Sequence, residues 1–509
     1  MDMTPQTAKS MYDEMTTVRQ PYLDRARECA ALTIPTLMPP EGSRGQSLPT
    51  PWQSAGAMGV NTLSNKMILA LMPPNTPFFR LEMDEKTKAA VAQAGAAQDV
   101  QQILAGYEAV LMREVEEKAD RVAGIEAIKQ LINAGNVLVH VPPSGTMKVY
   151  KLDQYVVKRD RAGNALRIVI KECISIKALP AEIAAVANMQ YGSDKRTDST
   201  VDIYTVVDRL NRETFRVWQE VCDKQVPNSI GFVMADAMSY LPLRWARIDG
   251  EDYGRGFVEE YQGDLQSLEG LQKAVVEASA ASAKLVYLRN PGATTSAEDF
   301  AATENGDTID GVEGDFKVLQ AEKRADMQGA ELSIQRLEAR LAKAFLMVSS
   351  VQRQAERVTA EEIRIMAGDL EDSLGGVYST LTLEFQLPYV KRKIALAQMQ
   401  GRLPHFPKGS VAPSIVTGIA ALGRNHEVGK TMAWAQACSA VLGPEVFGRT
   451  INADAFMKAM GTGYGVQVAA LVKTQEQLQA EAEQARQQQN VQTLGPELLR
   501  NRAQQSQPQ

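Results

Sequence analysis

The sequence predicts an α+β fold, mainly α, in a chain that forms several structural units. Long segments carry apolar residues at spacings of three and four, which is typical of helices with one buried face. Between about residues 136 and 245 apolar and polar residues alternate instead, which indicates strands. With 509 residues, of which 44% are hydrophobic, the chain is long enough to bury more than one core.

The charge balance limits the classes of function. The chain carries 55 Lys+Arg against 61 Asp+Glu, so its formal net charge is -6 and no overall positive field exists to hold nucleic acid tightly. No stretch approaches the roughly 18 apolar residues of a membrane span, and the first residues lack the pattern of a secretory signal. We expect a protein without a membrane partner that is made and used in a cytoplasm.

The residues that most often build metal and nucleophile sites are isolated along this chain. They are Cys29, Cys173, Cys222, Cys438, His140, His405 and His426. Because none of them forms a paired or clustered spacing, the sequence predicts no disulfides, no zinc-type site and no catalytic histidine pair. We expect no cofactor and no enzymatic centre.

The first 130 residues are predicted to form helices separated by proline-rich turns. The clearest apolar stripe lies in TPWQSAGAMGVNTLSNKMILALMPP and consists of Val60, Leu63, Met67 and Leu71. Pro73 and Pro74 end this helix. From Asn136 onward the alternation in NVLVHV, MKVYKL and YVVKRDRAGNALRIVIKECISI predicts strands, with a turn at 160–164 and a second hairpin turn near Asn211.

Two long helices are predicted beyond this β-rich part, over 263–288 and 325–347. A run of small residues at 278–283 favours close packing of the first helix, either against a neighbouring helix or inside its own domain. Between the two helices the chain is acidic and rich in glycine, which indicates an excursion with one or two short strands.

The segment VQRQAERVTAEEIR follows the second of these helices. Its first half has no apolar stripe and contains Arg353 and Arg357 around Glu356, a composition that by itself favours an ordinary exposed connector. Thr359 and Glu362 form the spacing of a capping box, which predicts that another long helix begins there.

Two features near the C-terminus suggest other functions. GRNHEVGKT resembles a phosphate-binding loop, but five residues separate Gly423 from Gly429 where that motif has four, so a loop between helices is favoured. The stretch VAALVKTQEQLQAEAEQARQQQ predicts a helix with a thin apolar seam that needs partners. A packaging ATPase using Gly429 to Thr431 and a coiled-coil scaffold or adaptor using 468–489 therefore stay open as alternatives.

Four long blocks resemble one family in the same order along the chain. They are TPWQSAGAMGVNTLSNKMILALMPP, YVVKRDRAGNALRIVIK, RWARIDGEDYGRGFVEEYQGDLQSLEGLQKAV and VQRQAERVTAEEIRIMAGDLEDSLGGVYS. The family is that of the portal proteins, or head-to-tail connectors, of short-tailed podovirus-type phages. The similarity extends from about Met11 to Gly423, and the region from about Thr431 is much less alike.

The resemblance implies a ring, typically of twelve subunits, at one vertex of the capsid. DNA enters through its axial channel during packaging and leaves through it during ejection. The implied parts are a wing (1–262), a first stem helix (263–288), a clip (289–324), a second stem helix (325–347), a tunnel loop (348–358), a long wing helix (359–400), a crown (401–466) and a C-terminal helix with a flexible tail (467–509).

The resemblance also implies which residues meet DNA and partners. In the tunnel loop these are Gln352, Arg353, Gln354, Glu356 and Arg357, with Arg340 and Lys343 as stem candidates. In the clip, the negative charge of Glu304, Asp307, Asp310, Glu313 and Asp315 suits a docking surface for basic partners, although a solvated acidic loop explains that composition equally well. The implied partners are double-stranded DNA in transit, the terminase large subunit, a tail adaptor protein, the major capsid and scaffolding proteins and internal core proteins. The implied location is the portal vertex of the virion, after assembly in the host cytoplasm.

Overall fold

The computed structural model contains two compact units. The first comprises Met1–Ala90 and Leu104–Gly418, and the second comprises Val91–Ile103 and Ile419–Gln509. The structure describes residues 6–43, 45–74, 77–93, 97–191, 200–282, 286–319, 324–347, 373–374, 376–407 and 409–415, together with short pieces between 432 and 457. The cores and sheets presented below belong to the first unit.

Helices and strands alternate in blocks, which confirms the mixed α+β class. The helices are α1 (Ala8–Ala31), α2 (Ala55–Leu71), α3 (Glu85–Gln93), α4 (Ala97–Glu117), α5 (Asp120–Ala134), α6 (Ala181–Tyr191), α7 (Phe257–Glu260), α8 (Gln262–Ser282), α9 (Ala297–Ala302), α10 (Arg324–Ala344), α11 (Gly376–Leu381) and α12 (Leu387–Met399). A π-helical segment, Thr382–Gln386, joins the last two.

The strands form antiparallel sheets. They are β1 (Phe79–Met83), β2 (Asn136–His140), β3 (Lys148–Tyr150), β4 (Tyr155–Arg159), β5 (Ala165–Ser175), β6 (Thr200–Arg209), β7 (Thr214–Val221), β8 (Lys224–Gln225), β9 (Gly231–Met234), β10 (Tyr240–Arg244), β11 (Val286–Arg289), β12 (Phe316–Leu319) and β13 (Val411–Ile415). The largest sheet has the order β4-β5-β6-β7-β8, with β9 also pairing β7. Smaller sheets have the orders β10-β2-β3, β1-β13 and β11-β12.

The apolar stripe predicted for α2 lies at the centre of the largest core. The side chains of this stripe, Val60, Leu63, Met67 and Leu71, are all 0% exposed. The helix ends at Leu71, before the two prolines. Around them pack α5, β2, β10, the start of α8 and the end of α10. This core therefore ties the N-terminal helices to the long helices that follow the β-rich part.

The six-stranded sheet has two differently covered faces. One face packs into a core with Leu23 and Ala26 of α1, through inward residues such as Ile168 and Val207. The start of α1 covers part of the opposite face, where Tyr12 joins a small cluster. Both hairpin turns occur as predicted: Asp160 accepts from the backbone N–H of Asn164, and the β6-β7 turn spans 210–213.

One close backbone crossing requires glycine. A Cβ at Gly135 would lie 2.3 Å from the carbonyl carbon of Arg255, and φ at Gly135 is 71°. A Cβ at Gly256 would lie 2.5 Å from the carbonyl oxygen of Asn133. Because neither position has room for a side chain, the end of α5 and the segment before α7 approach each other directly.

Two predicted segments differ in extent or type from the structure. The helix expected over 263–288 ends at Ser282, and Val286–Arg289 is a strand that pairs with Phe316–Leu319. Val411–Ile415, expected within a helical unit, is a strand that pairs with Phe79–Met83. In both cases a distant strand supplies backbone hydrogen bonds that local periodicity does not reveal.

Candidate functional site

Helices α8 and α10 form a long antiparallel hairpin, which we call the long hairpin. In the part of the hairpin that the structure describes, the buried side chains lie at its base: Leu265 and Leu268 on α8, Leu341 on α10 and Phe345 directly after α10. Further along, the Gln272 side-chain amide donates to Glu338 over 3.0 Å. Most other side chains of the described part of the hairpin face solvent, so its outer surface is available to partners.

The two stem candidates differ in their ion pairing. The Arg340 guanidinium donates to the Asp264 carboxylate over 2.5 Å, and its side chain is 60% exposed. Lys343 is also exposed and lies in the last turn of α10. Among the described residues it forms no ion pair. The uncompensated positive charge of the hairpin base is therefore on Lys343, not on Arg340.

The end of α10 is fixed in the large core. The Phe345 ring contacts Phe257 and Tyr261, with ring centroids 5.2 Å and 5.7 Å apart. The Lys66 ammonium of α2 donates to the carbonyl oxygen of Leu346 over 2.6 Å, and Leu346 has a left-handed backbone with φ of 55°. The chain thus leaves the long hairpin in a defined direction.

Residues 286–319 form a small structure at the far end of the long hairpin, which we call the acidic tip. Strands β11 and β12 pair in register from Val286↔Leu319 to Arg289↔Phe316. The Phe300 ring of α9 stacks on Phe316 at 4.2 Å and meets Tyr287 edge-on at 5.0 Å. These three rings form an aromatic cluster that joins α9 to both strands of the tip.

Asp315 organises the loops of the acidic tip. Its Oδ2 accepts hydrogen bonds from the backbone N–H of Val312 and from the N–H and hydroxyl groups of Thr294 and Thr295, over 2.9–3.2 Å. These bonds, first that from Val312, lower the pKa of Asp315 to about 2. One oxygen of this carboxylate is therefore committed to the fold of the tip.

The other four acidic candidates leave their carboxylates more open to solvent. The Asp307 carboxylate caps the backbone N–H of Glu304 over 2.9 Å, and the carbonyl oxygen of Asp310 accepts from the Thr295 hydroxyl. Glu304, Asp307, Asp310 and Glu313 are all exposed. The structure thus brings four of the five predicted acids together on an accessible surface and gives the fifth a structural role.

Several predicted features lie outside the described residues. They are Gln352, Arg353, Gln354, Glu356 and Arg357, the capping pair Thr359 and Glu362, the glycines of GRNHEVGKT and the C-terminal helix.

Sequence reasoning missed a buried ion cluster between α4, α5 and α12. The Lys393 ammonium of α12 lies 2.6 Å from Asp120 and 3.5 Å from Glu114, and all three side chains are at most 3% exposed. Arg402 and Lys118 also reach Glu114. Burial alone would raise the pKa of Glu114, but these cations hold it below its usual value.

No local signal could have found this cluster, because its members come from two distant parts of the chain, 114–120 and 393–402. The Tyr389 hydroxyl, one turn before Lys393, donates to Asp120 over 2.5 Å, and the other oxygen of Asp120 accepts from the Met147 N–H. Every oxygen of Asp120 is thus paired. The arrangement is that of a structural network.

No helix in the described ranges combines the length and the apolar composition that crossing a bilayer requires.

Comparison with known proteins matches this chain over nearly its whole length. The family model described as bacteriophage head to tail connecting protein matches residues 5–472. The portal protein of Enterobacteria phage T3 is 40% identical over 481 residues, covering 93% of this chain and 89% of that protein. The portal protein of Escherichia phage T7 is 39% identical over 485 residues, with the same coverage of 93% and 89%.

Among solved structures, the neck of the empty GTA particle matches with a TM-score of 0.34 and 10% identity, covering 76% of this chain and 86% of that chain. A likeness of this size supports no conclusion about the fold. The family match and the two relatives, however, confirm the resemblance that the four sequence blocks indicated. They identify a structural connector, not an enzyme. The chain belongs to the family of bacteriophage head to tail connecting proteins.

Proposed function

We propose that this chain forms the portal ring of a short-tailed phage, with about twelve subunits around an axial channel for packaging and ejection of DNA. The family match over residues 5–472 is the observation that carries this proposal. The long hairpin with its exposed sides and acidic tip also supports it, because such an element has too little core of its own and gains stability from neighbouring copies.

In this proposal, the parts of a portal are assigned to segments of the chain as follows. The N-terminal helices and the six-stranded sheet form the wing, α8 and α10 form the stem, and the acidic tip forms the clip. Residues 348–358 are the tunnel loop, 359–400 the long wing helix, 401–466 the crown and 467–509 the C-terminal helix and tail.

An acidic chain suits a conduit for DNA. Each phosphate neutralised by a protein cation adds to affinity and steepens the salt dependence, with a slope of about -0.9 per phosphate. A strongly basic channel would therefore hold the DNA that must pass. The net charge of -6 favours weak and non-specific contact instead.

A narrow positive collar can still restrain slippage. Within 348–358, Arg353 and Arg357 against Glu356 leave one positive charge per chain. About twelve copies in a ring place these charges at one level of the channel, where they touch the phosphate backbone transiently. Gln352 and Gln354 add neutral hydrogen-bonding groups.

At the base of the stem, Lys343 is the better DNA contact of the two candidates. Arg340 already donates to Asp264, so its charge is largely compensated within the hairpin. Lys343 has no such ion pair in the part of the chain that the structure describes.

We also assign the acidic tip as the docking surface for the terminase large subunit and later for a tail adaptor. Glu304, Asp307, Asp310 and Glu313 present exposed carboxylates there, and surfaces of one charge speed the association of partners of opposite charge. The wing and crown face the major capsid, scaffolding and internal core proteins. The ring resides at the portal vertex of the virion.

Packaging by variant particles tests the collar. In particles carrying Arg353→Ala with Arg357→Ala, we expect less full-length DNA to be retained than in the parent, with a difference that is largest at low salt and shrinks as salt rises. Gln352→Ala with Gln354→Ala is the matched control, because it alters the same segment without changing its charge. If the double arginine variant packaged and retained DNA like the parent at several salt concentrations, the collar proposal would be wrong.

A further inference from the structure

An exposed apolar row lies along the edge of the six-stranded sheet. Ile230, Phe232 and Met234 occupy alternate positions at and before β9, and they are 51%, 67% and 50% exposed. Because side chains alternate between the faces of a strand, all three lie on one face. Val233, between two of them, packs into the core on the other face. The three exposed side chains therefore lie on the face opposite this core, outside the part of that face that the start of α1 covers.

The row continues into a charged ladder across the sheet. Phe232 is paired with Arg216, Arg216 with Asp208, Asp208 with Arg167, and Arg167 with Lys158. Arg167 and Arg216 both reach the single carboxylate of Asp208, at 2.5 Å and 3.5 Å. This leaves one positive charge unmatched in the middle of the ladder.

Two further arginines lie in the turns at the end of this surface. Arg161 and Arg212 are exposed, and among the described residues neither forms an ion pair. An open cleft between the two turns is lined by residues that include Leu166, Leu210 and Arg212. Exposed Leu, Phe, Met and Arg side chains together are typical of protein contact surfaces. A phosphate ion would contact only the arginines and would leave the apolar side chains exposed.

The edge of β9 is free to pair with another strand. Within the described residues β9 pairs only with β7, so its other side presents unpaired backbone N–H and C=O groups. Proteins commonly protect such edges with lysine, proline or a bulge. Here the outward side chains are Phe232 and Met234, which instead favour coverage by a partner.

The size of the surface indicates what covers it. Four residues of strand span about 13 Å, and three exposed side chains offer much less than the roughly 800 Å² per partner that a stable subunit interface buries. A single added strand fits this area. A stable interface with a second copy of the chain would need a larger contact area than this surface offers.

We propose that the β9 edge binds an extended acidic segment of another protein of the particle, which adds a strand to the sheet. Apolar side chains of the segment contact Ile230, Phe232 and Met234, and its carboxylates pair with Arg212 and Arg216. This inference rests on the proposed function, since it requires the ring to stand among other capsid components.

Site-specific photocrosslinking in assembled particles tests the proposal. Benzoylphenylalanine at position 232 is expected to yield one major adduct with a protein other than this chain, whereas the same probe at the exposed position 122 does not. Arg212→Glu with Arg216→Glu is expected to reduce that adduct at least about fivefold, because it reverses the charge facing the segment. Lys273→Glu with Arg336→Glu, at exposed positions of α8 and α10, is the control with the same change in net charge.

Other outcomes overturn the inference. An adduct with a second copy of the chain, an adduct with DNA, no adduct from position 232, or an adduct that the charge reversal leaves unchanged each contradicts it. Electron micrographs of the same purified variants separate this result from the proposed function: rings without the adduct remove only the docking inference, whereas loss of rings in the parent protein removes the proposed function.

Discussion

The ring of Phe345, just beyond α10, lies directly against Gly59 of α2. A Cβ at Gly59 would be 2.7 Å from Cγ of Phe345, closer than van der Waals contact allows. Phe345 is 0% exposed, and Phe257 and Tyr261 enclose its ring from other sides. The long hairpin is therefore anchored in the large core at a position that has no room for one added methyl group.

The first prediction concerns Gly59→Ala. The added methyl forces Phe345 out of its place, so we expect the free energy of unfolding to fall by about 1–3 kcal/mol, as in other overpacked cores. Denaturant titration of the purified protein measures this change. Gly106→Ala is the control: that helical glycine has nothing within 4 Å of the added Cβ, so alanine should stabilise the helix by roughly 0.5–1 kcal/mol. Equal effects of the two substitutions would contradict the packing account.

The second prediction concerns the buried ion cluster. Lys393→Met leaves Asp120 and Glu114 with less compensation in a dry environment, and removal of one partner of a buried pair costs about 3–5 kcal/mol. Lys391→Met on the same helix is the matched control. Its partner Asp236 lies 3.0 Å away but is 82% exposed, so the expected loss is about 0–1 kcal/mol. Thermal unfolding of both variants measures the two losses of stability. Similar losses would show that burial does not make the cluster more important for stability than an exposed ion pair.

The third prediction is a pH dependence that originates at His140. The imidazole stacks on Tyr240 at 4.2 Å, and burial, followed by the positive charges of Arg392 and Lys148, lowers its pKa from 6.5 to about 4, while Glu172 opposes this shift. Between these values the unfolded chain binds a proton that the folded protein does not. The stabilising contribution of neutral His140 is therefore complete above about pH 6.5 and is lost as the pH falls towards about 4.

Melting temperatures at pH 7, 6, 5 and 4 measure this effect. His140→Phe keeps an aromatic ring on Tyr240 but removes the titration, so its melting temperature should fall less steeply than that of the parent over this range. Carboxylates titrate equally in both proteins and cancel in the comparison. Parallel curves for the two proteins would refute the assignment.

The fourth prediction concerns the acidic tip. Asp315→Asn removes the charged acceptor for the N–H groups of Thr294, Thr295 and Val312, so their amide hydrogens should exchange at least about tenfold faster. Glu313→Gln, which removes an equal charge from an exposed neighbour, should leave these rates nearly unchanged. Because the pKa of Asp315 is lowered from 3.8 to about 2, its contribution is present above about pH 3.8 and lost as the pH falls through about 2. Protection that persists in the asparagine variant would show that the carboxylate does not hold the tip.

Local pattern was enough to predict the elements that carry their own periodicity. The buried stripe of α2 and the hairpin turn at 160–164 follow from spacing and turn chemistry alone. The early end of the helix at Ser282 could not be predicted in this way, since Val286–Arg289 becomes a strand only through Phe316–Leu319. The helical periodicity of a segment gives no information about a strand that pairs with it from about thirty residues away.

The site was less predictable than the fold. The acidity of the tip was visible, but composition does not separate Asp315, which holds the loops, from Glu313, which faces solvent. The ion cluster was invisible because Asp120 and Lys393 meet only in the folded chain. Arg353 and Arg357 were singled out by an absent apolar stripe, and only the family resemblance turned that absence into a prediction about a DNA channel.

Electron microscopy of the purified full-length protein tests the central claim most directly. The account predicts rings of about twelve subunits with an open central hole, in which averaged images show the long hairpins surrounding the channel. Particles that remain monomers at concentrations well above those in an infected cell, or closed assemblies without a channel, would contradict it.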